Sequence, residues 1–165
     1  FMKTFDDLWV SSTNNSETLS IAGSIAVINE MKEKNTIKHC WDMGEKLFEG
    51  WNKIAREKGV NAQMTGYPIR LDLKCYDKND NESLSMKSLI SQEMVKQGIF
   101  MSILGSSYIS YSHSTVDIEN TLKAFENVCN YIKKQIADEN YEKYLEGDLP
   151  KIIWTMKLQP TKKRN

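Results

Sequence analysis

A run of small polar side chains stands directly before an apolar stretch near the start of the chain. Residues 11–20, SSTNNSETLS, place eight hydroxyl or amide side chains in ten positions, and IAGSIAVI follows. The apolar stretch predicts a helix, and the positive end of its dipole, with free backbone N–H groups, is a place to hold an anion, commonly a phosphate. The alternative is structural: Ser16 or a neighbour caps the helix, and Glu17 and Thr18 suit its first turn. The run lacks the glycines and the lysine of a P-loop, so it does not indicate a nucleotide site.

Arg70 is a second candidate functional residue. It stands in YPIRLDL and is one of three arginines in the chain. A guanidinium binds a carboxylate through two parallel hydrogen bonds, which makes Arg70 a candidate substrate ligand. The alternation of the segment places Arg70 on the face opposite Ile69 and Leu71, and this favours a surface salt bridge over a substrate contact.

The histidines and cysteines do not indicate a catalytic or metal site. His39 and His113 are far apart, and the three cysteines form no CxxC pair, so we predict core thiols and neither a zinc site nor a disulfide framework. His113 lies in SYSHST just before a predicted helix, where packing or a hydrogen bond at the helix start is favoured over catalysis. No nucleophile with a supporting carboxylate is apparent near it. We therefore assign no catalytic residue to this chain.

The composition excludes several classes of partner. Lysine plus arginine and aspartate plus glutamate number 22 each, so no overall field favours nucleic acid or an anionic membrane. The apolar runs are far shorter than the ~20 residues of a membrane span, and the start has no basic segment followed by an apolar core. The sequence therefore predicts a soluble, cytoplasmic protein. An apolar content of 40% is enough to form a hydrophobic core.

Periodicity predicts an α+β protein in which helices cover a small sheet. The clearest helical pattern is that of the residues before Gly59. After it, apolar residues at Ile69, Leu71, Leu73 and Cys75 alternate with polar ones, which predicts a strand. In the tail, Trp154 belongs to an apolar patch of the kind that docks onto another chain or domain. The predicted helices are Glu17 to Lys34, Ile37 to Lys58, Ser85 to Gln97 and a long final one from the Ser/Thr/Asp cap at STVD; short strands are predicted at GIFMSIL and SYISYS.

Four stretches of the sequence occur in an order that is typical of one enzyme family. VSSTNNSETLSIAGSIAVINEM, HCWDMGEKLFEGWNKIAREKGV, KQGIFMSI and YISYSHSTVDIENTLKAF together span most of residues 5 to 136. They resemble the C-terminal part of class III, fold-type I aminotransferases dependent on pyridoxal 5′-phosphate (PLP), most of all the glutamate-1-semialdehyde aminotransferase branch. The resemblance implies that Thr13 reaches the PLP phosphate of the neighbouring subunit across a homodimer interface, with Ser12 as a further donor.

The resemblance also implies a domain organisation. Residues 1–35 would end the large cofactor domain, 36–146 would form the C-terminal small domain that closes over the substrate, and 147–165 would be a tail. The lysine that forms the Schiff base and the acidic partner of the pyridine nitrogen would lie upstream, so the chain alone should be inactive. We assign the lysine's role to none of the residues here, and a chain opening on Phe1 is expected to be a fragment of a longer enzyme.

The sequence departs from the semialdehyde enzymes in one place. ILGSSYIS carries no carboxylate where those enzymes have a glutamate, and none occurs between Gly98 and Asp117. This favours a transaminase for another amino acid or an amino sugar over an aminomutase acting on a semialdehyde. Two alternatives stay open: a stand-alone, non-catalytic dimerisation or regulatory domain, and a split enzyme whose other polypeptide supplies the lysine.

Overall fold

A computed structural model describes residues 17–135 and 140–151 of the chain. Ser12, Thr13 and Trp154, named above, lie outside these ranges. Contacts divide the chain into two compact units that meet between His39 and Cys40, and each is described by itself. The domain limits predicted above stay a prediction. The elements are α1 Thr18–Glu33, α2 Thr36–Lys58, β1 Ala62–Tyr67, β2 Arg70–Cys75, α3 Leu84–Lys96, β3 Ser107–Tyr108, α4 Thr115–Gln135 and a 3₁₀ turn at Tyr141–Tyr144.

Helix α1 is apolar on all sides and buries none of its residues. Leu19 is 79% exposed, and the other large apolar residues of the helix are between 39% and 58% exposed. A helix with apolar residues around its whole circumference is normally buried against other structure. Helix α1 therefore needs another surface to cover its apolar side chains.

The second unit is built on a three-stranded antiparallel sheet of order β1-β2-β3. Leu71, Leu73 and Cys75 of β2 are at most 3% exposed, which confirms the alternation predicted from the sequence. Ala62 and Met64 of β1 pair with Cys75 and Leu73 and are also buried. One face of the sheet thus enters the core, and the polar residues of β2 lie on the opposite face.

Helices α2 and α4 meet in the core through an aromatic pair. The rings of Trp51 and Phe125 are both fully buried and stacked, with centroids 3.4 Å apart. The indole N–H of Trp51 donates to the carbonyl of Ala62 at 3.0 Å, so the same residue ties α2 to β1. Asn52 continues this connection, since its side-chain amide exchanges two hydrogen bonds with the backbone of Met64.

Strand β1 was not predicted, because the sequence pattern indicated a single strand here, from Ile69 to Cys75, with Gly66 and Pro68 as breaks before it. The structure instead forms a hairpin in which Tyr67 pairs with Arg70 across Pro68 and Ile69. The turn rests against α2 at Gly44, where a Cβ atom would collide with the carbonyl of Pro68. A glycine at position 44 is therefore what allows the hairpin to approach the helix.

The predicted strand at GIFMSIL is also wrong. The segment is irregular, and the hydroxyl of Ser102 accepts a hydrogen bond from the N–H of Gly105 at 3.0 Å. Of the other predicted short strand, SYISYS, only Ser107 and Tyr108 join the sheet. Helix α3 contributes Leu89, Ile90 and Met94 to the core, as expected from its pattern.

Candidate functional site

In the sequence, the first described element after Ser12 and Thr13, the predicted phosphate ligands, is the N-terminus of α1. The carboxylate of Glu17 accepts hydrogen bonds from the backbone N–H groups of Leu19 at 3.1 Å and Ser20 at 2.8 Å. Hydrogen bonds from Ser20 lower the pKa of Glu17 below its usual value, so it is a carboxylate at neutral pH. The cap is Glu17, whereas the sequence predicted Ser16 or a neighbour as the cap and Glu17 as part of the first turn.

This cap changes the interpretation of the anion site. The expectation was that free N–H groups at the positive end of the α1 dipole would hold a phosphate. Two of those groups are bonded to Glu17, and its negative charge opposes a second anion at the same place. The N–H groups of Leu19 and Ser20 are therefore not free to hold a phosphate, and the phosphate role predicted for Ser12 and Thr13 stays a prediction.

Arg70 lies on the sheet face that is turned away from the core, between two tyrosines that were not predicted to adjoin it. It pairs with Tyr67 of β1 on one side and with Tyr108 of β3 on the other. Directly paired residues share a face of the sheet, so the three side chains form one row, the Tyr67–Arg70–Tyr108 row. The tyrosines are 70% and 65% exposed, and Arg70 is exposed as well.

A surface salt bridge was favoured for Arg70. No carboxylate of residues 17–135 or 140–151 pairs with its guanidinium. A cation with no partner between two hydrogen-bonding, aromatic side chains can receive an anionic or aromatic group from outside. The signal that could have located the row was Pro68, because a two-residue turn there aligns Tyr67 with Arg70.

His113 has the structural surroundings that the sequence favoured. Its Nδ1 accepts a hydrogen bond from the backbone N–H of Ser110 at 3.0 Å, and the hydroxyl of Ser110 lies 3.0 Å from the same atom. A ring nitrogen that accepts from a backbone N–H carries no proton, which assigns the proton of the neutral ring to Nε2. The half-buried ring thus closes the turn before α4.

The helix cap predicted at STVD is present at the start of α4, and it takes the form of a capping box. Asp117 accepts from the backbone N–H of Ser114 at 2.8 Å and from its hydroxyl at 2.7 Å, while Ser114 accepts from the N–H of Asp117 at 3.3 Å. These bonds lower the pKa of Asp117. The polar residues of the SHST segment are therefore used to begin a helix.

A cavity of about 670 Å³ lies between α4 and the segment that follows α3. Its polar lining includes Gln97, Asn127 and Thr121, and these side chains are bonded to one another or to the backbone. Asn127 donates to Gln97 at 3.0 Å, Gln97 to the carbonyl of Ala124 at 3.2 Å, and Thr121 to the carbonyl of Asp117 at 2.8 Å. The cavity has no nucleophile paired with a base among these groups.

Cys75, Cys129 and the possible metal ligands give no reactive centre in the part of the chain that the structure describes. Burial raises the pKa of Cys75 and of Cys129 to about 12, so both are protonated, unreactive thiols. Among residues 17–135 and 140–151, no group of three His, Cys, Asp or Glu side chains could hold a metal ion. Over the same residues, no helix is long and apolar enough to cross a membrane.

No protein-family profile matches this chain, and no curated protein matches its sequence. Solved structures match its fold. The FumI protein of Sphingopyxis sp. MTA144, solved in its PLP internal aldimine form, aligns with a TM-score of 0.67 at 15% identity, over 87% of this chain and 34% of its own. An omega-transaminase from Sphaerobacter thermophilus aligns with a TM-score of 0.62 at 17% identity, over 74% of this chain and 30% of its own.

A further transaminase, solved with PLP bound, gives a TM-score of 0.62 at 15% identity, over 76% of this chain and 30% of its own. The chain thus spans about a third of the length of these proteins. At such low identity the likeness is one of fold. The fold prediction is confirmed: the chain is α+β, with a small sheet covered by helices, and it has the fold of part of these longer chains.

Proposed function

We propose that this chain is part of a PLP-dependent aminotransferase. The observation that carries the proposal is the fold, since a TM-score of 0.67 extends over 87% of the chain against a PLP-containing protein about three times as long. The sequence resemblance leads independently to the same class of enzyme. PLP, when bound, stabilises carbanions and so makes amino-group transfer possible. The lysine that would carry it is expected in another part of the protein.

In this proposal Thr13 and Ser12 donate hydrogen bonds to the PLP phosphate of a second subunit in a homodimer. The Glu17 cap leaves the N-terminus of α1 itself unsuited to a phosphate, so the proposed phosphate role rests on Thr13 and Ser12. Helix α1 would lie at the interface, where its uncovered apolar side chains, Leu19, Ile25 and Ile28 among them, would be buried. The unit from Cys40 onward would be the small domain beside the substrate.

Arg70 would bind the carboxylate of the amino donor. Three features of the Tyr67–Arg70–Tyr108 row support this role: the guanidinium is exposed, it has no ion pair among the described residues, and two phenol groups flank it. The substrate would be an amino acid or an amino sugar, since the chain lacks the carboxylate expected of the semialdehyde branch. A semialdehyde substrate would be the second choice.

The test is to isolate the polypeptide that contains this sequence from its native source and to measure its intact mass, its PLP content and its oligomeric state. We expect a mass well above 19.1 kDa, one PLP per subunit and a dimer. A 19.1 kDa protein that dimerises without PLP would overturn the proposal and support the non-catalytic dimerisation domain. A 19.1 kDa protein that gains PLP only with a second polypeptide would support a split enzyme.

A further inference from the structure

In the Tyr67–Arg70–Tyr108 row, two aromatic side chains adjoin a cation on the surface of the sheet. The three residues belong to three strands, with Arg70 in the middle. Neighbouring strands lie about 4.8 Å apart, so the side chains of Tyr67 and Tyr108 begin about 10 Å from each other. All three residues are exposed, on the face turned away from the core.

The polar groups of the row are not used within residues 17–135 and 140–151. Over these residues Arg70 has no ion pair, and the hydroxyls of Tyr67 and Tyr108 make no hydrogen bond. Lys74, the next cation along β2 on the same face, is by contrast bound to Glu82 at 2.8 Å. Tyrosine and arginine are the residues that most often dominate the binding energy of a protein surface, so the row has the composition of a binding site.

The charges on this face admit one carboxylate at Arg70 and disfavour a second. Asp72 is the next residue of β2 on the same face, about 6.7 Å along the strand from Arg70. It is half-buried and pairs with Thr65 of β1. The carboxylate of Asp72 repels an anion that extends towards it. The row therefore suits a monocarboxylate better than a dicarboxylate.

A flat aromatic ring fits between the two tyrosines. A ring midway between them lies about 5 Å from each side chain, and aromatic pairs are most favourable with their centroids about 4.5–7 Å apart. A saturated ring of the same size fills the same space, but it has no π-system and gains only contact area. The spacing of Tyr67 and Tyr108 therefore favours an aromatic ring over a saturated one.

We propose that the Tyr67–Arg70–Tyr108 row selects an aromatic monocarboxylate, whose carboxylate pairs with Arg70 while its ring lies between Tyr67 and Tyr108. The inference rests on the proposed function, in which Arg70 binds the carboxylate of the amino donor, and it narrows the donor to an aromatic amino acid. An aliphatic donor pairs with Arg70 but gains no aromatic contact, and a dicarboxylate is repelled by Asp72. The two tyrosines determine the specificity, and Arg70 supplies affinity for any carboxylate.

The first experiment measures the binding of simple carboxylates to the complete protein, with no amino-group transfer. Saturation-transfer NMR titrations compare phenylacetate with cyclohexylacetate, which carries its carboxylate on a saturated ring, and with the dicarboxylate phenylsuccinate. We expect phenylacetate to bind about tenfold more tightly than either.

Variants assign this preference to the row. Tyr67→Leu and Tyr108→Leu should each reduce the difference between phenylacetate and cyclohexylacetate, and Arg70→Gln should weaken the binding of both. Lys74→Gln, which removes a cation from the same strand and face, is the matched control and should change neither affinity. Equal affinities in the native protein, or a preference that survives both tyrosine substitutions, overturn the proposal.

The second experiment measures KM in the complete enzyme with phenylalanine and cyclohexylalanine as amino donors. We expect Tyr67→Leu and Tyr108→Leu to raise KM for phenylalanine several-fold more than KM for cyclohexylalanine. Equal KM values for the two donors in the native enzyme would overturn aromatic selection while amino-group transfer, and with it the proposed function, stands. A complete protein that holds no PLP would overturn the proposed function, and the phenylacetate titration would then decide the role of the row by itself.

Discussion

Trp51 of α2 and Phe125 of α4 stack at the centre of the core with their ring centroids 3.4 Å apart. Because both are fully buried, truncation leaves a cavity that the surrounding helices cannot fill. We expect Phe125→Ala to lower the free energy of unfolding by about 3–5 kcal/mol. Urea denaturation of the full chain measures this, with Val116→Ala, at an exposed position of the same helix, expected to change it by at most about 0.5 kcal/mol. Equal losses in the two variants would contradict the packing described.

Gly44 allows the β1–β2 hairpin to touch α2. A Cβ atom at this position would collide with the backbone carbonyl of Pro68, which cannot move away as a side chain could. We expect Gly44→Ala to destabilise the chain by about 1–3 kcal/mol in the same denaturation experiment. Gly23→Ala is the control, because Gly23 of α1 has open space around it and alanine favours a helix by about 1 kcal/mol. A Gly44→Ala variant as stable as the native chain would rule out the close approach.

The capping box makes stability depend on pH in the acid range. Hydrogen bonds from Ser114 lower the pKa of Asp117 in the folded chain below its unfolded value of about 3.9. The stabilisation by Asp117 is therefore present above the unfolded pKa and is lost as the pH falls through the folded pKa. We expect Asp117→Asn to be less stable than the native chain near neutral pH, with a difference that shrinks on acidification. Unfolding measured at several pH values tests this, and a difference that does not shrink on acidification would contradict it.

Thr13 is proposed to hold the PLP phosphate in the complete protein. Replacing it by valine removes one charge-assisted hydrogen bond, and we expect PLP binding to weaken by about 1.5–3 kcal/mol with little change in folding. Titration of the cofactor-free protein with PLP measures this affinity. Ser24→Ala is the control, since Ser24 bonds only to the carbonyl of Ser20 within α1. An unchanged affinity in Thr13→Val would count against the phosphate role.

Arg70 is proposed to bind the carboxylate of the amino donor. We expect Arg70→Gln in the complete enzyme to raise KM for carboxylate-bearing donors, by about tenfold for each 1.4 kcal/mol of lost binding. Donors without a carboxylate should be unaffected, which separates a lost ion pair from a damaged fold. Arg56→Gln, at an exposed position on α2, is the matched control. A KM that does not distinguish the two kinds of donor would exclude this role.

The helices were predictable because their apolar residues recur at helical spacing and because glycines end two of them. Gly59 and Gly98 follow α2 and α3 and have the positive φ that suits glycine, +63° and +82°. The capping box of α4 was likewise visible in the sequence, since Ser114 and Asp117 are the required residues at the required spacing. These features depend on residues close in the chain.

What the sequence did not indicate depends on contacts between distant residues. β1 has only Ala62 and Met64 on its buried face and contains Gly66, so its own pattern is weak, and its pairing with β2 decides the structure. The Tyr67–Arg70–Tyr108 row follows from that pairing and was missed with it. Glu17 was not expected as a cap, because glutamate is less common there than serine, threonine, aspartate or asparagine.

The burial of two of the three cysteines makes the remaining one a natural attachment point. Cys75 and Cys129 are fully enclosed, and their thiols stay protonated, while Cys40 is only partly buried. A thiol-directed dye applied to the folded chain will therefore modify Cys40 alone. The rate at which the second and third adducts appear will then measure how often the core around Cys75 and Cys129 opens.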